Sequence, residues 1–580
     1  MNYSTLSELF PSRRSVVHST KGIVATSQPL ATAAGIRILE LGGNAAMAAV
    51  AAGAVLGVVE PHMTGLGGDL FAQFYSAKEK KTLGINGCGR SPARLSIETL
   101  KKSGIKGPRI PSTSIHSVTV PGTVAGWCDI IDTWGNGKLT LREILQPAID
   151  LAEKGHPVSE ISARKWDRSI EVLRQSKTPR AARALLMANG QAPKEGDIYR
   201  NPQLAQSLKI VAEGGRNAFY NSGPIADAIV KCMSDLGGLL NQEDLNNHTS
   251  IFVNPIGIEV LNGENYKLWE IPPNGQGLVA LSAIGAIKKL DQAKVIDLKS
   301  LQHNSLEYLH LIIENLKFAF RLADEYVSDP DYSHIPIEHL LSDAHFEAQA
   351  KLFTAETVHA NYRYVLDPIN KSDTVYLSTS DPEGNACSFI NSVYCDFGSG
   401  IFPDGLGFPL QNRGANFNMT PGSRNFVSGN KRPYHTIIPA MVTKDDELYA
   451  SYGIMGGFNQ PQAHVQVLFN MILFGMNPQQ AIDAPRICLA CDPTETEHDF
   501  GIGTDGPVSR PTTIVHVEEG IREEVFKGLE ALGHKVYRAK GMERTIFGCG
   551  QIIKSRKDDD ILVYSAGSDP RGDGCAFPSL

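Results

Sequence analysis

The most informative segment of this chain of 580 residues is Lys371-Ser372-Asp373-Thr374-Val375-Tyr376. It follows a polar, weakly patterned stretch over 351–371 that indicates an exposed connection, and it begins an alternating run that predicts a strand. If the bond between Asp373 and Thr374 were cut, Thr374 would carry both a hydroxyl and a free α-amine. An α-amine has a pKa of about 7.7, so it can accept the hydroxyl proton near neutral pH and activate a nucleophile. The alternative is that Thr374 is an ordinary strand residue.

The composition is that of a globular protein, with 42% hydrophobic residues, 20% charged residues, 55 Gly and 33 Pro. It supports a large core and excludes disordered, collagen-like and disulfide-stapled classes. The net charge of -7 argues against a nucleic-acid partner. Nine scattered cysteines and no apolar leader indicate a reducing, cytoplasmic location. The apolar run Ala45–Val59 is shorter than the ~20 residues that cross a membrane, so it predicts a core helix and no membrane partner.

Hydrophobic periodicity divides the chain into two halves of different character. The first half is rich in helical patterns, and from Ser372 onward short strands alternate with Gly and Asn turns. Asp381–Asn385 separates two alternating runs and predicts a hairpin turn. We also expect residues 1–20 to form a loose polar arm and residues 118–126 to run from a strand into a turn. Mixed strands and helices in both halves predict an α+β layered sandwich.

A glycine turn, Gly453-Ile454-Met455-Gly456-Gly457-Phe458, leads into a predicted helix. Backbone N–H groups at such a turn can bind a developing oxyanion, assisted by the helix N-terminus. The alternative is a tight turn that binds no anion. A phosphate-binding loop is excluded because no Gly-Lys-Ser/Thr follows.

Two further segments, 411–417 and 431–436, are dense in hydrogen-bond donors and include Arg413, Asn416, His435 and Thr436. They predict recognition of a substrate carboxylate or amide, with loop anchoring as the alternative. His435 could equally be a structural histidine. The CxxC motif at 488–491 has no second CxxC and no histidine cluster after it, so we expect no metal site.

Several motifs occur in one order between residues 22 and 574, and together they resemble the γ-glutamyltranspeptidase (glutathione hydrolase) family of N-terminal nucleophile hydrolases. The motifs are Ile38–Ala45, Glu60–Asp69, Val120–Gly126, Thr374, Gln411–Phe417, Gly456-Gly457 and Asp569–Arg571.

The resemblance implies a four-layer αββα sandwich made as one precursor, which cuts itself before Thr374. The products would be residues 1–373 and 374–580, which stay together as a heterodimer; whether two heterodimers associate is left open. Thr374 matches the family nucleophile, and Gly456 and Gly457 match the oxyanion amides. No cofactor is required.

The departures from the family pattern concern the substrate. Cys88 stands where glutathione-cleaving members have a carboxylate-binding Arg, and Arg90, two residues on, is the candidate substitute. Asn416 replaces the Asp that binds the glutamyl ammonium, and Arg413 precedes it by three residues. This exchange removes the partner of an ammonium and favours an anionic group.

Two further departures fall beside these positions. His435 and Thr436 replace the paired serines that hold the carboxylate, and Tyr394 replaces a frequent Asn two residues after Ser392. The pattern resembles the branch that includes oxamate amidohydrolase and related acylases.

The sequence therefore predicts an autoprocessed amide hydrolase or acyltransferase of the γ-glutamyl hydrolase/transpeptidase type, with water or an amino acid as acceptor. Two alternatives stay open: an oxamate amidohydrolase-like or other N-acyl amidase, and an uncleaved, inactive relative that serves as a scaffold.

Overall fold

Two antiparallel sheets of seven strands form the centre of the protein, in a computed structural model that describes residues 14–359, 374–491 and 513–580. The first sheet contains, in spatial order, Cys575–Pro578, Ile23–Thr26, Val375–Ser380, Ala386–Ser392, Asp69–Ser76, Lys81–Gly87 and Ile251–Val253. The second sheet contains Val17–Ser19, Ile561–Ser568, Gly550–Asp558, Glu447–Ile454, Ala440–Lys444, Glu264–Glu270 and Ile256–Leu261.

The two sheets pack face to face next to Thr374. The strand Val375–Ser380 of the first sheet contacts the strand Glu447–Ile454 of the second. Tyr376 lies against Gly453 so closely that a Cβ at Gly453 would overlap the Tyr376 ring. This contact fixes the strand after Thr374 against the strand that leads into the glycine turn, so both predicted catalytic features belong to one packed unit.

One layer of helices covers the outer face of the first sheet. The helix Ala45–Val59 begins at Asn44, whose Oδ1 accepts the N–H of Met47 at 3.2 Å, as expected for a helix cap. All fifteen of its residues are buried, and it packs on the strands Val375–Ser380 and Ala386–Ser392. Its small side chains allow this close approach, as the sequence predicts. The other helices of the layer are Pro29–Glu40, Thr123–Trp134, Leu141–Lys154, Pro202–Tyr220 and Pro224–Asp235.

A second helical layer covers the second sheet. The helix Gly277–Gln292 packs on Ile256–Leu261, and Asn459–Ile472 packs on Glu447–Ile454. The layer is completed by Leu306–Tyr326, Asp343–Ala350, Pro478–Asp483 and Glu523–Ala531. Helix, sheet, sheet and helix make four layers, so the predicted αββα sandwich is confirmed.

Smaller elements lie at the edges of the sandwich. A three-stranded sheet pairs Ile487–Cys491, Thr513–Glu518 and Val536–Ala539, and a two-stranded sheet pairs His156–Pro157 with Ile198–Tyr199. The short helices are Ile97–Lys102, Glu160–Arg168, Ile170–Arg174, Pro179–Ala182, Gln242–Asn246 and Ile337–Leu340. Within the described ranges no helix is both long enough and apolar enough to pass through a membrane.

Most local predictions are confirmed. Asp381–Asn385 forms the predicted hairpin turn, because the Asp381 Oδ1 accepts the backbone N–H groups of Glu383 and Asn385 at 3.1 and 3.0 Å. The predicted exposed connection is described only as far as residue 359; its remainder to residue 371 lies outside the described residues.

Two local predictions are wrong. The arm predicted over residues 1–20 includes the strand Val17–Ser19, which pairs with Ile561–Ser568; residues 1–13 lie outside the described ranges. Residues 118–122 make no strand, and a helix begins at Thr123 where a turn is expected. The cause is tertiary: the Gly122 N–H donates to Asp69 Oδ1 at 3.1 Å, which directs the segment away from sheet pairing.

Candidate active site

Thr374 lies directly before a central strand of the first sheet and is only 1% exposed. Because Val375 pairs with Asn391, Thr374 lies opposite Ser392 at the open end of the hairpin. Thr374 Oγ1 donates to Ser392 Oγ at 3.2 Å. The predicted cleavage partner, Asp373, lies outside the described residues. The hydroxyl predicted to be the nucleophile is thus buried and held in one direction.

Ser392 connects Thr374 to the predicted substrate-binding residues. Its Oγ accepts the Tyr394 N–H at 2.8 Å and an N–H from Arg413 Nη2 at 3.1 Å. Arg413 Nη1 donates to Thr436 Oγ1 at 2.7 Å, and the guanidinium carbon lies 4.3 Å from the centre of the Tyr394 ring. Residues that are up to 62 positions apart in sequence therefore form one hydrogen-bonded network with Thr374.

Asn416 extends this network. Its Oδ1 accepts the Tyr394 hydroxyl at 2.6 Å, and its Nδ2 donates to the carbonyl oxygen of Tyr434 at 3.1 Å. The side-chain amide is thus used on both sides by protein groups. It holds no charge that could pair with a substrate ammonium.

The positive charge of Arg413 is buried without an ion pair. Its two Nη groups bond hydroxyls, and its Nε has no hydrogen-bond partner among the described residues. Burial lowers the pKa of the guanidinium from its ordinary value, while Tyr394 and Asp69 oppose the shift. Burying a charge is costly, and Asp69 acts on this guanidinium without forming an ion pair among the described residues, so the guanidinium can bind an anion.

His435 faces the opposite side of its segment and bonds Asp69 rather than Arg413. Its Nδ1 accepts the Ile437 N–H at 3.3 Å, so its Nε2 carries the proton and donates to Asp69 Oδ2 at 3.0 Å. Burial and the charge of Arg413 lower the pKa of His435 to about 4, so the imidazole is neutral near pH 7. These are the bonds of a structural histidine; direct contact of His435 with a substrate stays a prediction.

Asp69 joins several segments around the site. Its Oδ1 accepts the N–H of Gly89 at 2.9 Å and of Gly122 at 3.1 Å, and an N–H of Gln411 at 2.8 Å. Burial raises the pKa of Asp69, but the His435 hydrogen bond and the nearby charges outweigh it and hold the pKa below its usual range. Asp69 is therefore an ionised anchor that holds the loops bearing Gly89 and Gln411 in place.

Two groups of side chains have the composition of metal ligands. Asp69, Cys88 and His435 place their donor atoms within 4.8 Å of one another, as do His310, Glu314 and His534. In both groups, however, the donor atoms already bond each other or nearby groups. His435 donates to Asp69, Asn274 donates to Cys88 Sγ at 3.4 Å, and His310 and His534 are joined at 2.8 Å. The expected absence of a metal stays a prediction.

The glycine turn has the geometry of an anion-binding turn. Gly456 and Gly457 have φ values of 125° and 55°, a left-handed backbone that favours glycine, and the helix Asn459–Ile472 follows directly. The N–H groups of both glycines have no hydrogen-bond acceptor in the part of the chain that the structure describes. Two unsatisfied amides at a helix N-terminus can together bind a developing oxyanion.

Gln276 fixes this turn to the rest of the network. Its Nε2 donates to the carbonyl oxygens of Gly457 at 2.9 Å and Thr436 at 2.6 Å, and its Oε1 accepts the Tyr434 hydroxyl at 3.1 Å. Every polar atom of the Gln276 side chain is used, and the residue is fully buried. The glycine turn and the segment bearing Thr436 therefore form one rigid unit.

Arg90 lies outside this network. Its Nη1 bonds Asp329 at 3.1 Å and its Nη2 bonds Asp331 at 2.6 Å, in a cluster that also includes Arg432. Two cations and two anions balance in this cluster, so Arg90 has less reason than Arg413 to bind an anionic ligand. Carboxylate binding by Arg90 stays a prediction.

Sequence reasoning missed Asp69 and Gln276. Asp69 begins a strand after the glycine turn 65–68, and a carboxylate at the buried start of a strand was the available signal. Gln276 follows Pro-Pro-Asn-Gly just before a helix, and nothing in that local pattern indicates a partner near residue 457.

The chain is similar to known proteins over nearly its whole length. Residues 31–579 match the family described as Gamma-glutamyltranspeptidase. The chain is 34% identical to the glutathione hydrolase-like YwrD proenzyme of Bacillus subtilis, over 97% of this chain and 99% of the relative. It is 30% identical to the oxamate amidohydrolase proenzyme of Klebsiella pneumoniae, over 96% of this chain and 98% of the relative.

One solved structure is similar to this chain in both fold and sequence. The crystal structure of cephalosporin acylase from Bacillus halodurans has a TM-score of 0.84 and 35% identity to this chain, and it covers 98% of both chains. The chain belongs to the gamma-glutamyltranspeptidase family of N-terminal nucleophile hydrolases.

Proposed function

We propose that the chain is an N-terminal threonine amide hydrolase and acyltransferase that cuts its own bond between Asp373 and Thr374. One observation carries the proposal: the buried hydroxyl of Thr374 is hydrogen-bonded at 3.2 Å to a network of donors that ends at two unsatisfied backbone amides. The mature protein would be a heterodimer of residues 1–373 and 374–580. Both chains contribute strands to the same sheets.

Self-cleavage proceeds by attack of Thr374 Oγ1 on the carbonyl carbon of Asp373. The C–N bond breaks, an ester to the hydroxyl oxygen forms, and the hydroxyl proton passes to the departing nitrogen. Water then hydrolyses the ester, which leaves a carboxylate at residue 373 and a free α-amine on Thr374. The β-branched side chain restricts χ1 and helps to hold the attacking oxygen in place.

The freed α-amine serves in each later cycle. It accepts the proton of the Thr374 hydroxyl as the oxygen attacks a substrate amide, and the amides of Gly456 and Gly457 stabilise the oxyanion. The proton then passes to the departing amine and an acyl-enzyme ester remains. Water releases the acyl group as a carboxylate, or an amino acid accepts it as a new amide.

Two classes of acyl group are supported. Membership of the family supports a γ-glutamyl amide such as glutathione. A short anionic acyl group without an ammonium is favoured by a specific observation: Arg413 is a buried, unpaired cation, while Asn416 is neutral and already bonded on both sides. An oxamate-like amide has this chemistry, and a relative named for that substrate is 30% identical.

A denaturing gel and N-terminal sequencing test the proposal. We expect two bands, the smaller beginning at Thr374, and neither cleavage nor turnover in Thr374→Ala. Thr374→Ser is the matched control, since it keeps the hydroxyl and should keep both reactions. A single uncut band after long incubation would instead support the inactive scaffold. Side-by-side assays with γ-glutamyl-p-nitroanilide and oxamate separate the two substrate classes.

A further inference from the structure

Tyr394 has a backbone conformation that is rare for its residue type. Its φ is 79°, in the left-handed region that is unfavourable for an L side chain, and the residue is 1% exposed. Its neighbours hold it there: the Val393 N–H donates to the Met63 carbonyl at 3.1 Å, and the Cys395 N–H donates to Asn412 Oδ1 at 3.2 Å. Strained residues of this kind persist where the surrounding structure fixes them, and they cluster at functional sites.

The Tyr394 side chain fills the space between Arg413 and Asn416. Its ring centre lies 4.3 Å from the guanidinium carbon of Arg413, and its hydroxyl donates to Asn416 Oδ1 at 2.6 Å. The ring therefore covers one face of the Arg413 cation and separates it from Asn416. The family pattern often has Asn at this position, and an Asn side chain is much shorter. This chain thus has a large ring where that pattern leaves room.

Arg413 also lies close to the candidate nucleophile. Thr374 Oγ1 and Arg413 Nη2 both bond Ser392 Oγ, at 3.2 and 3.1 Å. Two successive hydrogen bonds of this length place Thr374 Oγ1 at most about 6.3 Å from Arg413 Nη2. A carboxylate on the carbon next to an acyl carbonyl spans this gap, because its oxygen lies about 3.5 Å from the ester oxygen and a hydrogen bond to a guanidinium adds about 2.8 Å.

The acyl side of the site leaves little room for a longer group. The residues next to Thr374 in the network are all buried, with 0 to 4% of each exposed: Ser392, Tyr394, Arg413 and Asn416. The hydroxyls of Ser392 and Thr436 hold the two Nη groups of Arg413, and the Tyr394 ring covers one face of the guanidinium. An acyl chain that extends past Arg413 toward Asn416 therefore has to displace this ring.

We propose that Tyr394 determines the acyl length in this site and restricts it to groups of two or three carbons that end in a carboxylate, as in oxamate and malonamate. The inference rests on the proposed amide hydrolase function and names the class of acyl group for it. Thr374 Oγ1 forms an ester with the acyl carbon, the C–N bond breaks, and the hydroxyl proton passes through the α-amine to the departing ammonia. Arg413 binds the carboxylate of the ester, and water then releases the dicarboxylate.

A length series of primary amides, measured on the full, processed protein, tests the inference. The substrates are oxamate, malonamate, succinamate and glutaramate, which have two to five carbons and all release ammonia. L-Glutamine adds an ammonium at the length of glutaramate. The variants Tyr394→Asn and Tyr394→Gly shorten the side chain and tolerate a left-handed φ. Tyr394→Phe is the matched control, because it keeps the ring and loses only the hydroxyl.

We expect the kcat/KM of the wild type, measured from ammonia release, to fall about tenfold or more for each methylene added after malonamate. Tyr394→Asn and Tyr394→Gly should lower the ratio of kcat/KM for oxamate to that for glutaramate about tenfold or more, because they open the space beside Asn416. Tyr394→Phe should keep the wild-type order of the series.

The inference is overturned if the wild type hydrolyses succinamate, glutaramate or L-glutamine as well as oxamate, or if both shortened variants keep the wild-type order. It is also overturned if the wild type cuts itself and turns over γ-glutamyl-p-nitroanilide but neither oxamate nor malonamate. The proposed function fails separately, on the gel, if the wild-type chain stays uncut. A processed enzyme with no preference for short acyl groups and an uncut chain are therefore distinguishable results.

Discussion

At the scale of single residues, we propose that Arg413 decides which substrate the site accepts. Its charge lies in a fully buried position, where two hydroxyls, the Tyr394 ring and the charge of Asp69 stabilise it without an ion pair among the described residues. The protein can hold a buried guanidinium in this way. An anion that binds there would lower its free energy further, because the anion supplies a directly paired negative charge. We therefore propose that Arg413, rather than Arg90, binds the acyl group.

We predict that Arg413→Ala weakens transition-state binding of anionic acyl substrates by about 1.5–3 kcal/mol, the range for hydrogen bonds to charged groups. The measurement is kcat/KM for an anionic and a neutral p-nitroanilide. Arg413→Lys, which keeps the charge but not the planar fork, should recover part of the loss. Self-cleavage on a gel reports that the variants are folded. An equal loss for the neutral substrate would contradict the assignment.

Thr374 could be proposed as the nucleophile from sequence because it carries a hydroxyl, precedes a predicted strand and matches the family motif. Asp69 could not, because its role depends on partners 20, 53 and 366 residues away. The same limit applies to His435, whose orientation depends on which face of its segment meets Asp69. The sequence therefore suggests a candidate nucleophile, whereas long-range contacts decide which side chains lie around it.

At the scale of elements, the distance between the glycine turn and the segment bearing Thr436 is set by Gln276. The turn directly precedes the helix Asn459–Ile472. A displacement of the turn would therefore move the helix N-terminus together with the backbone amides of Gly456 and Gly457. Gln276 belongs to the loop before another helix, Gly277–Gln292. Two helices of one layer are thereby aligned on the site.

We predict that Gln276→Leu lowers kcat about tenfold to a hundredfold with little change in KM, somewhat below the ~10²–10³ loss that follows removal of an oxyanion donor. The reason is that the turn loses its bond to Gln276 but keeps its amides. Steady-state kinetics measure the effect. Gln466→Leu is the matched control: Gln466 is also buried and bonds two carbonyls, but at Gln462 and Ile487. Equal kinetic losses in both variants would mean a general packing effect.

Elements with strong local signals were predictable, and elements decided by distant partners were not. The helix Ala45–Val59 could be predicted because its cap and its continuous apolar residues are adjacent in the sequence. Residues 118–122 have a strand-like composition, yet the hydrogen bond of Gly122 to Asp69 directs them elsewhere. The hydrogen bonds of Gln276 to Thr436 and Gly457 have no signal in the local sequence.

At the scale of the whole molecule, we expect buried histidines to dominate the response to acid. Eight described histidines have a pKa lowered by burial: to about 4 for His156, His248, His303, His435 and His516, to about 2 for His534, and below its ordinary value for His116 and His345. Between pH 6.5 and 4 the unfolded chain binds more protons at these groups, so acid favours unfolding. Four buried carboxyls act in the opposite direction, because burial raises the pKa of Glu60 to about 7, of Asp381 and Asp483 to about 6, and of Glu270 above its ordinary value.

We predict that the thermal unfolding midpoint falls as the pH decreases from about 6.5 to 4.5, since the histidines outnumber the carboxyls. His248→Gln should reduce the pH dependence of the unfolding free energy by up to ~1.4 kcal/mol per pH unit, which is the effect of one proton. His334→Gln is the control, because His334 is exposed and should leave the slope unchanged. A midpoint that rises on acidification, or equal slopes in all three proteins, would contradict this account.

Self-cleavage should not release either product, because the two segments are interleaved in both sheets. In the first sheet Ile23–Thr26 lies between Cys575–Pro578 and Val375–Ser380, and in the second Ala440–Lys444 pairs with Glu264–Glu270. Separation would break these ladders and expose the core between the sheets. We therefore predict that the two products co-elute in native size exclusion and unfold in one transition, with separate peaks only in denaturant. Separate peaks in native buffer would mean that these ladders do not hold the cut chains together.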